Sequence, residues 1–354
     1  MQVSKSNKRV TLRSRPGDSG VTAVENFATE ECPYPTDLPD GKLLVKTLCL
    51  SVDPYMRSRL NEKTRAAYML PWKVGHTVDG GGVALVLESK HDCYQPGDII
   101  QSFNLPWQLY SQVEVNQYFS KVEKSLVGDH YSLAVGAIGM PGLTSLLGIK
   151  HKGGVVPGTN QTMVISGAAG ACGSLAGQIA RILGCGHVVG ICGTDAKCSM
   201  LTEELGFDVA INYKTQNVEE RLKAACPAGV DIYFDNVGGE ISDTVIMKMN
   251  KDSNIILCGQ ISMYNNLHRD YPPLLADNIA QRVKDFNIKR ERFVVLTYAE
   301  EFPEGLVQLA TWIREGKFKV KETVTEGLEN TGAAFVSMMS GGNVGKQIVH
   351  VADP

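Results

Sequence analysis

The chain has 354 residues, of which 43% are hydrophobic and 21% charged, with a net charge of −3. This composition is typical of a globular protein with two domains, and the scattered lysines and arginines argue against nucleic acid or an anionic membrane surface as partner. No apolar run reaches transmembrane length and none follows the basic N-terminus, so we expect neither a membrane segment nor a signal peptide.

Nine cysteines are present, an odd number, and no two have the spacing of a zinc knuckle or a redox pair. Several lie in apolar or glycine-rich segments, where a free cysteine behaves as a small hydrophobic residue. The pattern predicts a reducing compartment, and the cytoplasm is the simplest interpretation.

Residues 1–130 have the pattern of a β-rich domain. Candidate strands are 43–52, 83–87, 99–102 and 112–115, separated by turns such as Pro96-Gly97-Asp98.

From Thr162 the pattern becomes an alternation of strands and helices. Candidate strands are 163–166, 188–192, 209–213, 230–235 and 255–258, with 292–298 as a possible last strand. This alternation predicts a doubly wound parallel sheet. The tail, 304–354, shows two helical patterns and a strand at 347–351, and we expect it to pack on the first domain.

The stretch VISGAAGACGSLAGQIA contains the spacing Ala168-x-Gly170-x-x-Gly173 between a predicted strand and a predicted helix. In a dinucleotide fingerprint such residues allow a tight turn, close approach of the pyrophosphate and close packing of helix on strand. A glycine run can also be a packing turn alone. The repeated β-α-β pattern favours the binding interpretation.

The choice of cofactor depends on the end of the second strand, where an NAD site usually has an acidic residue. Here Cys192, Gly193 and Thr194 follow, with Lys197 in the next helical turn. A small residue with a cation suits a 2′-phosphate and favours NADPH. Asp195 argues the other way, unless it is only an acid favoured by the helix dipole.

Seven motifs together resemble one family. They are SVDPYMR (51–57), VDGGG (78–82), AIGMPGLTS (137–145), SGAAGACGS (166–174), FDNVGG (234–239), CGQIS (258–262) and GGNVGKQ (341–347). Over nearly its full length the chain resembles the zinc-free enone reductases of the medium-chain dehydrogenase/reductase superfamily, which include prostaglandin reductases and leukotriene B4 dehydrogenases. The resemblance implies an α/β Rossmann NADPH-binding domain at 131–300 and a β-rich GroES-like catalytic domain at 1–130 and 301–354.

The resemblance also implies site residues, any of which could instead serve packing. The implied cofactor contacts are Gly170, Ala171, Cys172, Gly173, Lys197, Tyr213, Asn236, Cys258, Gly259, Gln260, Ile261, Ser262, Met263, Tyr264, Phe293, Val294, Val295 and Asn343. The implied substrate contacts are Phe103, Asn104, Val294, Val295 and Leu296. Tyr264 matches the tyrosine that hydrogen-bonds near the reacting carbonyl.

Zinc alcohol dehydrogenases of the superfamily carry a Gly-His-Glu motif and often a lobe of cysteines. This chain has Gly75-His76-Thr77 and no such lobe, so we expect no metal and interpret His76 as a partly buried polar residue.

Without a metal, a conjugated enone is the expected substrate, reduced by hydride transfer to its β-carbon while the protein orients it and donates to its oxygen. A quinone reductase and an NADPH-binding sensor without turnover are the alternatives. We expect a lipid enone, most simply a 15-oxoprostaglandin, as ligand and a monomer or homodimer as assembly. Segment 265–275 could be a connection or a lid over a long substrate.

Overall fold

The computed structural model describes residues 6–17, 20–64, 69–266 and 273–354. These residues form two compact units. The first consists of Met1–Gly136, Thr323–Asn343 and Gln347–Pro354, and the second of Ala137–Glu322 and Val344–Lys346. No helix in the described part of the chain is both long and apolar enough to cross a membrane.

The strands are β1 (Asn7–Leu12), β2 (Phe27–Cys32), β3 (Lys42–Ser51), β4 (Asp79–Ser89), β5 (Ile99–Pro106), β6 (Tyr110–Glu114), β7 (Ser120–Lys121), β8 (Thr162–Ser166), β9 (His187–Cys192), β10 (Val209–Asn212), β11 (Val230–Asp235), β12 (Met249–Leu257), β13 (Lys289–Arg292), β14 (Glu322–Glu326) and β15 (Lys346–His350). The α-helices are α1 (Met56–Arg59), α2 (Lys124–Val127), α3 (Met140–Gly148), α4 (Ala171–Ile182), α5 (Asp195–Ser199), α6 (Val218–Ala225), α7 (Gly239–Ile246), α8 (Asp277–Asp285), α9 (Phe302–Arg314) and α10 (Thr331–Met339).

The first unit is built on a mainly antiparallel sheet in the order β14-β15-β3-β4-β5-β7, with β6 also paired to β3. Its core contains a group of aromatic rings in which Phe27 lies 5.8 Å from Trp107 and 6.0 Å from Phe335 between ring centroids. Such rings bury a large apolar area and favour tilted contacts. The predicted β-rich domain is confirmed.

The second unit contains a six-stranded parallel sheet in the order β10-β9-β8-β11-β12-β13. Numbered from β8, this order is 3-2-1-4-5-6, the arrangement of the dinucleotide-binding Rossmann fold. Its two central strands, β8 and β11, are almost wholly buried and mostly apolar, as parallel strands covered on both faces usually are. The predicted doubly wound sheet is confirmed.

The last strand of this sheet differs from the prediction of 292–298. The strand β13 covers Lys289–Arg292, and a 3₁₀ segment, Val295–Glu301, follows it. Arg292 is paired with Leu257, the final residue of β12, so a longer strand would have no partner along β12.

The second unit also contains more of the C-terminal tail than predicted. Residues 301–322 belong to this unit, not to the first domain as expected from a boundary at 300. The reason is the packing of α9 on α3, which is so close that a Cβ added at Gly305 would lie 2.7 Å from Leu143 Cδ2 and one at Gly142 would lie 2.9 Å from Leu309 Cδ1.

Candidate functional site

The site lies where the strand order reverses, between β8 and β11. These strands are neighbours, with Val164 opposite Tyr233 and Ile165 opposite Phe234, yet the chain leaves β8 toward β9 and β11 toward β12. Open parallel sheets bind their ligands beyond the carboxyl ends of the strands at such a point. The two turns that follow these strands therefore form the candidate site.

The first turn joins β8 to α4 through the glycine run. Gly167 has a φ of 59°, a left-handed conformation that favours glycine. A Cβ at Gly173 would lie 2.4 Å from the Gly167 carbonyl oxygen and 2.7 Å from Ala168 Cα. Gly173 is thus required for packing α4 against the turn, as the fingerprint predicts.

Gly170 serves a different purpose from Gly173. It precedes the first residue of α4, and a Cβ there would meet only the Gly167 carbonyl oxygen, at 3.3 Å. Apart from the chain neighbours of Gly170, no other atom of the described residues lies within 4 Å of that Cβ position. The N–H groups of Ala171, Cys172 and Gly173 are first-turn donors with no acceptor within the helix. Open space beside such donors fits a pyrophosphate.

A C-terminal segment supports the same turn. The Gly345 N–H donates to the Ala169 carbonyl oxygen at 2.7 Å, and a Cβ at Gly345 would lie 1.9 Å from the Lys321 carbonyl oxygen. Gly345 also has a φ of 66°. Only a residue without a side chain can hold the glycine turn from this position.

The second turn follows β11 and is tied to β8 by side chains. The Asn236 N–H donates to Ser166 Oγ at 3.0 Å, and Asn236 Nδ2 donates to the Ser166 carbonyl oxygen at 2.8 Å. Ser166 Oγ in turn donates to Asp235 Oδ1 at 3.2 Å. Asn236 is therefore fixed at the point where the strand order reverses.

The segment after β12 is held to the second turn by its backbone. The N–H groups of Cys258 and Gly259 donate to the Asp235 carbonyl oxygen at 3.0 and 2.9 Å, and that of Ile261 donates to the Asn236 carbonyl oxygen at 3.2 Å. Ser262 donates through both N–H and Oγ to the Val237 carbonyl oxygen. The structure thus brings together the residues predicted around the nicotinamide. Gln260 and Met263 in this segment are buried.

Tyr264 is the last residue of this segment, and its hydroxyl lies near the residues that follow β12. Tyr264 Oη accepts a hydrogen bond from the Gln260 N–H at 3.4 Å, and a Cβ at Gly259 would lie 3.2 Å from it. Gly259 therefore leaves room for the phenol beside the backbone. An N–H that donates to a phenol oxygen makes its O–H a better donor.

The thiols of Cys172 and Cys258 are neighbours in the site. The hydrogen bond with Cys172, together with burial, raises the pKa of the Cys258 thiol well above its usual value. A protonated thiol is a poor nucleophile, so Cys258 is suited to packing rather than to covalent catalysis.

Lys214 lies beside the end of β9, and Lys197 follows that strand in α5. A Cβ at Gly193 would lie 3.0 Å from Tyr213 Cε1 and 3.3 Å from Lys214 Cε. Burial, and repulsion from Lys214, lower the pKa of Lys197. An anion placed here would relieve this repulsion, so the cluster fits a 2′-phosphate.

Asp195 has a partner within the protein. Its Oδ1 accepts a hydrogen bond from Asn212 Nδ2 at 2.7 Å. Thr194 caps α5 by accepting from the Lys197 N–H at 3.2 Å. The acid that argued for NAD therefore has a structural partner.

The segment after β13 is partly buried. The Phe293 ring is 5% exposed and stacks on Tyr298, which stacks on His151 at 4.1 Å between ring centroids. The Phe293 ring therefore serves packing within the second unit, and its contact with a cofactor stays a prediction. Val294 and Val295 are half-buried and Leu296 is exposed, which suits a wall for an apolar substrate.

Three predicted residues belong to the first unit. The Phe103 ring is 41% exposed and meets Tyr118 edge-on at 6.4 Å. Asn104 Oδ1 accepts from Ser102 Oγ at 2.7 Å, and Asn343 is buried. Their roles toward a cofactor or substrate stay predictions. Of the loop 265–275, residues 267–272 lie outside the described residues.

A zinc ion does not fit the donors that the structure describes. A catalytic zinc needs three protein ligands, and no three His, Cys, Asp or Glu side chains converge within residues 6–17, 20–64, 69–266 and 273–354. His76 is exposed, not partly buried as expected, and its Nδ1 lies 3.2 Å from the Val74 carbonyl oxygen. The expectation of a metal-free protein stays a prediction.

Sequence reasoning missed Lys214, Asp235 and Gly345 as parts of the site. Lys214 directly follows Tyr213, so a second cation beside the predicted 2′-phosphate position was visible in the sequence. Asp235 and Gly345 lie within the motifs FDNVGG and GGNVGKQ. Their contacts depend on pairings between distant segments, which no local pattern shows.

Comparisons with known proteins place the chain in a family. Residues 8–121 match the N-terminal domain of oxidoreductases and residues 171–310 match zinc-binding dehydrogenases. YfmJ of Bacillus subtilis, named as an NADP-dependent oxidoreductase, is 42% identical over 99% of both chains. Prostaglandin reductase 1 of Rattus norvegicus is 40% identical over 93% of this chain and 95% of its own. The crystal structure of CurA from Vibrio vulnificus in complex with NADPH has a TM-score of 0.86 and 32% identity, covering 98% of this chain and 100% of its own.

The strand order and the glycine turn define a dinucleotide-binding fold, and the family matches make the chain an oxidoreductase. The chain belongs to the medium-chain dehydrogenase/reductase superfamily, which confirms the resemblance at that level.

Proposed function

We propose that the protein is an NADPH-dependent enone reductase. The observation that carries the proposal is the Tyr264 hydroxyl, held by the Gln260 N–H beside the switch point of a Rossmann sheet. The Lys197–Lys214 pair supports NADPH as cofactor. The name of YfmJ and the NADPH complex of CurA support the same choice.

The chain's own residues would bind the cofactor, orient the enone and stabilise the negative charge that develops on its oxygen. The first turn of α4 would hold the pyrophosphate, and the segment 258–264 would border the nicotinamide. When bound, the reduced nicotinamide supplies the hydride that adds to the β-carbon of the enone. Tyr264 would donate a hydrogen bond to the carbonyl oxygen, where negative charge develops. The α-carbon would then take up a proton from water, which completes reduction of the double bond. The raised pKa of the Cys258 thiol disfavours the thiolate, the form that would add to an enone.

For the substrate we infer a 15-oxoprostaglandin, reduced to its 13,14-dihydro form, which is the activity of prostaglandin reductase 2. The motifs of the sequence support this choice, and so does the 40% identity to rat prostaglandin reductase 1. The half-buried and exposed apolar side chains of Val294, Val295 and Leu296 suit a lipid.

The test is NADPH consumption by the purified full chain with a 15-oxoprostaglandin, a short-chain enone and a quinone, with the products identified by mass spectrometry. We expect the 13,14-dihydro product and a higher kcat/KM for the prostaglandin than for the short enone. Quinone turnover without alkene reduction would make the protein a quinone reductase. NADPH binding without any turnover would make it a sensor.

Tyr264→Phe is expected to lower kcat for the enone roughly tenfold, less than the loss of a sole oxyanion donor would cost, because the ribose hydroxyl of the cofactor would still donate to the carbonyl oxygen. The dissociation constant for NADPH should change little. Tyr94→Phe is the matched control, since it removes a half-buried phenol hydroxyl in the first unit, and it should leave kcat unchanged. Wild-type turnover in Tyr264→Phe would remove the hydroxyl from the mechanism.

Exhaustive chelation is expected to leave the enone reductase activity unchanged, because the described residues offer no zinc ligand set. Elemental analysis of the purified protein should find no stoichiometric zinc. One tightly held zinc per chain, with activity lost on its removal, would contradict the metal-free assignment.

A further inference from the structure

Asp235 is a fully buried carboxyl group at the carboxyl end of β11, and neither the predicted site nor the proposed mechanism uses it. Its Oδ1 accepts hydrogen bonds from Ser166 Oγ at 3.2 Å, Tyr233 Oη at 3.0 Å and the N–H groups of Val237 and Gly238 at 3.0 and 2.9 Å. Its Oδ2 accepts from Ser242 Oγ at 2.9 Å. All five partners are neutral hydroxyl or N–H groups.

A buried charge held only by neutral groups acts on its surroundings with little screening. Burial raises the pKa of Tyr233 well above its usual value, and the Asp235 charge raises it further. Burial is the main cause of the raised pKa of Asp243; the Asp235 charge also raises this pKa, whereas Arg290 lowers it. It also contributes to the raised pKa of Cys258, after the Cys172 hydrogen bond and burial. The field of Asp235 thus extends to a residue of the predicted nicotinamide segment.

The backbone of Asp235 is hydrogen-bonded to that segment. Its carbonyl oxygen accepts the N–H groups of Cys258 and Gly259, and its chain neighbour Asn236 is tied to β8. A reduced nicotinamide ring is neutral, and loss of a hydride, one proton with two electrons, leaves the ring with a charge of +1. A fixed negative charge stabilises the charged form more than the neutral one.

We propose that Asp235 is a positioning residue that sets the redox balance of the bound cofactor, by favouring the oxidised nicotinamide and so making bound NADPH a stronger hydride donor. The inference rests on the proposed binding of NADPH but not on the identity of the enone. It assigns Asp235 a role through its charge, beyond its support of the turn at 236–238.

Asp235→Asn separates the charge from the hydrogen bonds. The amide oxygen of asparagine has two lone pairs and can still accept from the N–H groups of Val237 and Gly238, and its NH2 group can donate to Ser242 Oγ, because a serine hydroxyl also accepts. The turn should therefore persist, and circular dichroism with a melting curve checks that it does.

The measurement is the dissociation constant of NADP⁺ and of NADPH for the full chain, by calorimetric titration. Relative to the wild type, Asp235→Asn should weaken NADP⁺ about fivefold more than NADPH. The control is Asp231→Asn, at the opposite end of the same strand, where the carboxylate accepts from the Thr162 N–H and Asn250 Nδ2. This control should leave the ratio of the two constants unchanged.

A second variant is expected to act in the opposite direction. Tyr233→Phe removes one hydroxyl that donates to Asp235 and leaves the charge less compensated, so NADP⁺ should bind more tightly relative to NADPH. General damage to the site would weaken both forms alike. Equal losses in Asp235→Asn, or an unchanged ratio in both variants, would overturn the proposal. A wild-type chain that binds neither form would overturn the proposed function as well, whereas NADPH binding with an unresponsive ratio would leave that function standing.

Discussion

Gly170→Ala is expected to fold like the wild type and to bind NADPH at least ~10-fold more weakly, since a methyl group would fill the space in front of the helix N-terminus where a pyrophosphate would lie. Gly173→Ala is expected to lower the free energy of unfolding and to change the affinity for NADPH little. Its Cβ would lie 2.4 Å from a backbone oxygen, and overpacking of this kind costs about 1–3 kcal/mol of the free energy of unfolding.

Two measurements distinguish these glycines: the free energy of unfolding in denaturant and the dissociation constant for NADPH. Gly153→Ala is the matched control, because an added Cβ would make only ordinary contacts, the nearest at 3.4 Å from Ile149 Cγ2. It should alter neither quantity. Wild-type affinity in Gly170→Ala would show that the glycine run is a packing turn alone, the alternative that the sequence left open.

The parallel sheet could be predicted from the sequence because its central strands are short apolar runs between glycine-rich turns. Val164 and Ile165 illustrate this, since the middle of a strand buried on both faces is usually apolar. The glycine turn was equally predictable, since its three roles require small residues at fixed spacing.

Elements that depend on a partner were not predictable. The strand β13 ends at Arg292 because β12 ends opposite it, a limit set by a segment about thirty-five residues earlier. The N-terminal strand pair β1–β2 was missed because half of β2 is exposed and polar. Such a pattern is equally typical of a surface loop. Residues 301–322 join the second unit because Gly142 and Gly305 allow α9 to approach α3.

The Lys197–Lys214 pair shows the same limit within the site. The sequence identified Lys197 by its position after the second strand, but the mutual repulsion of the two lysines follows from folding β10 beside β9. The preference for NADPH, which the sequence based on a missing acid and on Lys197, can therefore be tested at two lysines.

Lys197→Met is expected to weaken NADPH about 30-fold, because a charge-assisted contact with a phosphate contributes roughly 1.5–3 kcal/mol. NADH, which lacks the 2′-phosphate, should bind as before. Methionine retains an aliphatic chain in place of the half-buried lysine stem. Lys214→Met should cause a smaller loss, since it removes an attraction to the phosphate but also relieves the repulsion of Lys197. The measurement is the dissociation constant of both cofactors, with the exposed Lys223→Met on α6 as control.

The pH dependence tests the pair independently of any loss of fold. Burial and the neighbouring Lys214 lower the pKa of Lys197, and its protonated form is the one that attracts a phosphate. The preference for NADPH over NADH should therefore be greatest at neutral pH and fall as the pH rises toward the lowered pKa, earlier than for an ordinary lysine. In Lys214→Met the pKa of Lys197 rises, so the fall should move to higher pH. An equal loss for NADPH and NADH in Lys197→Met, or a preference that ignores pH in both proteins, would place the 2′-phosphate elsewhere.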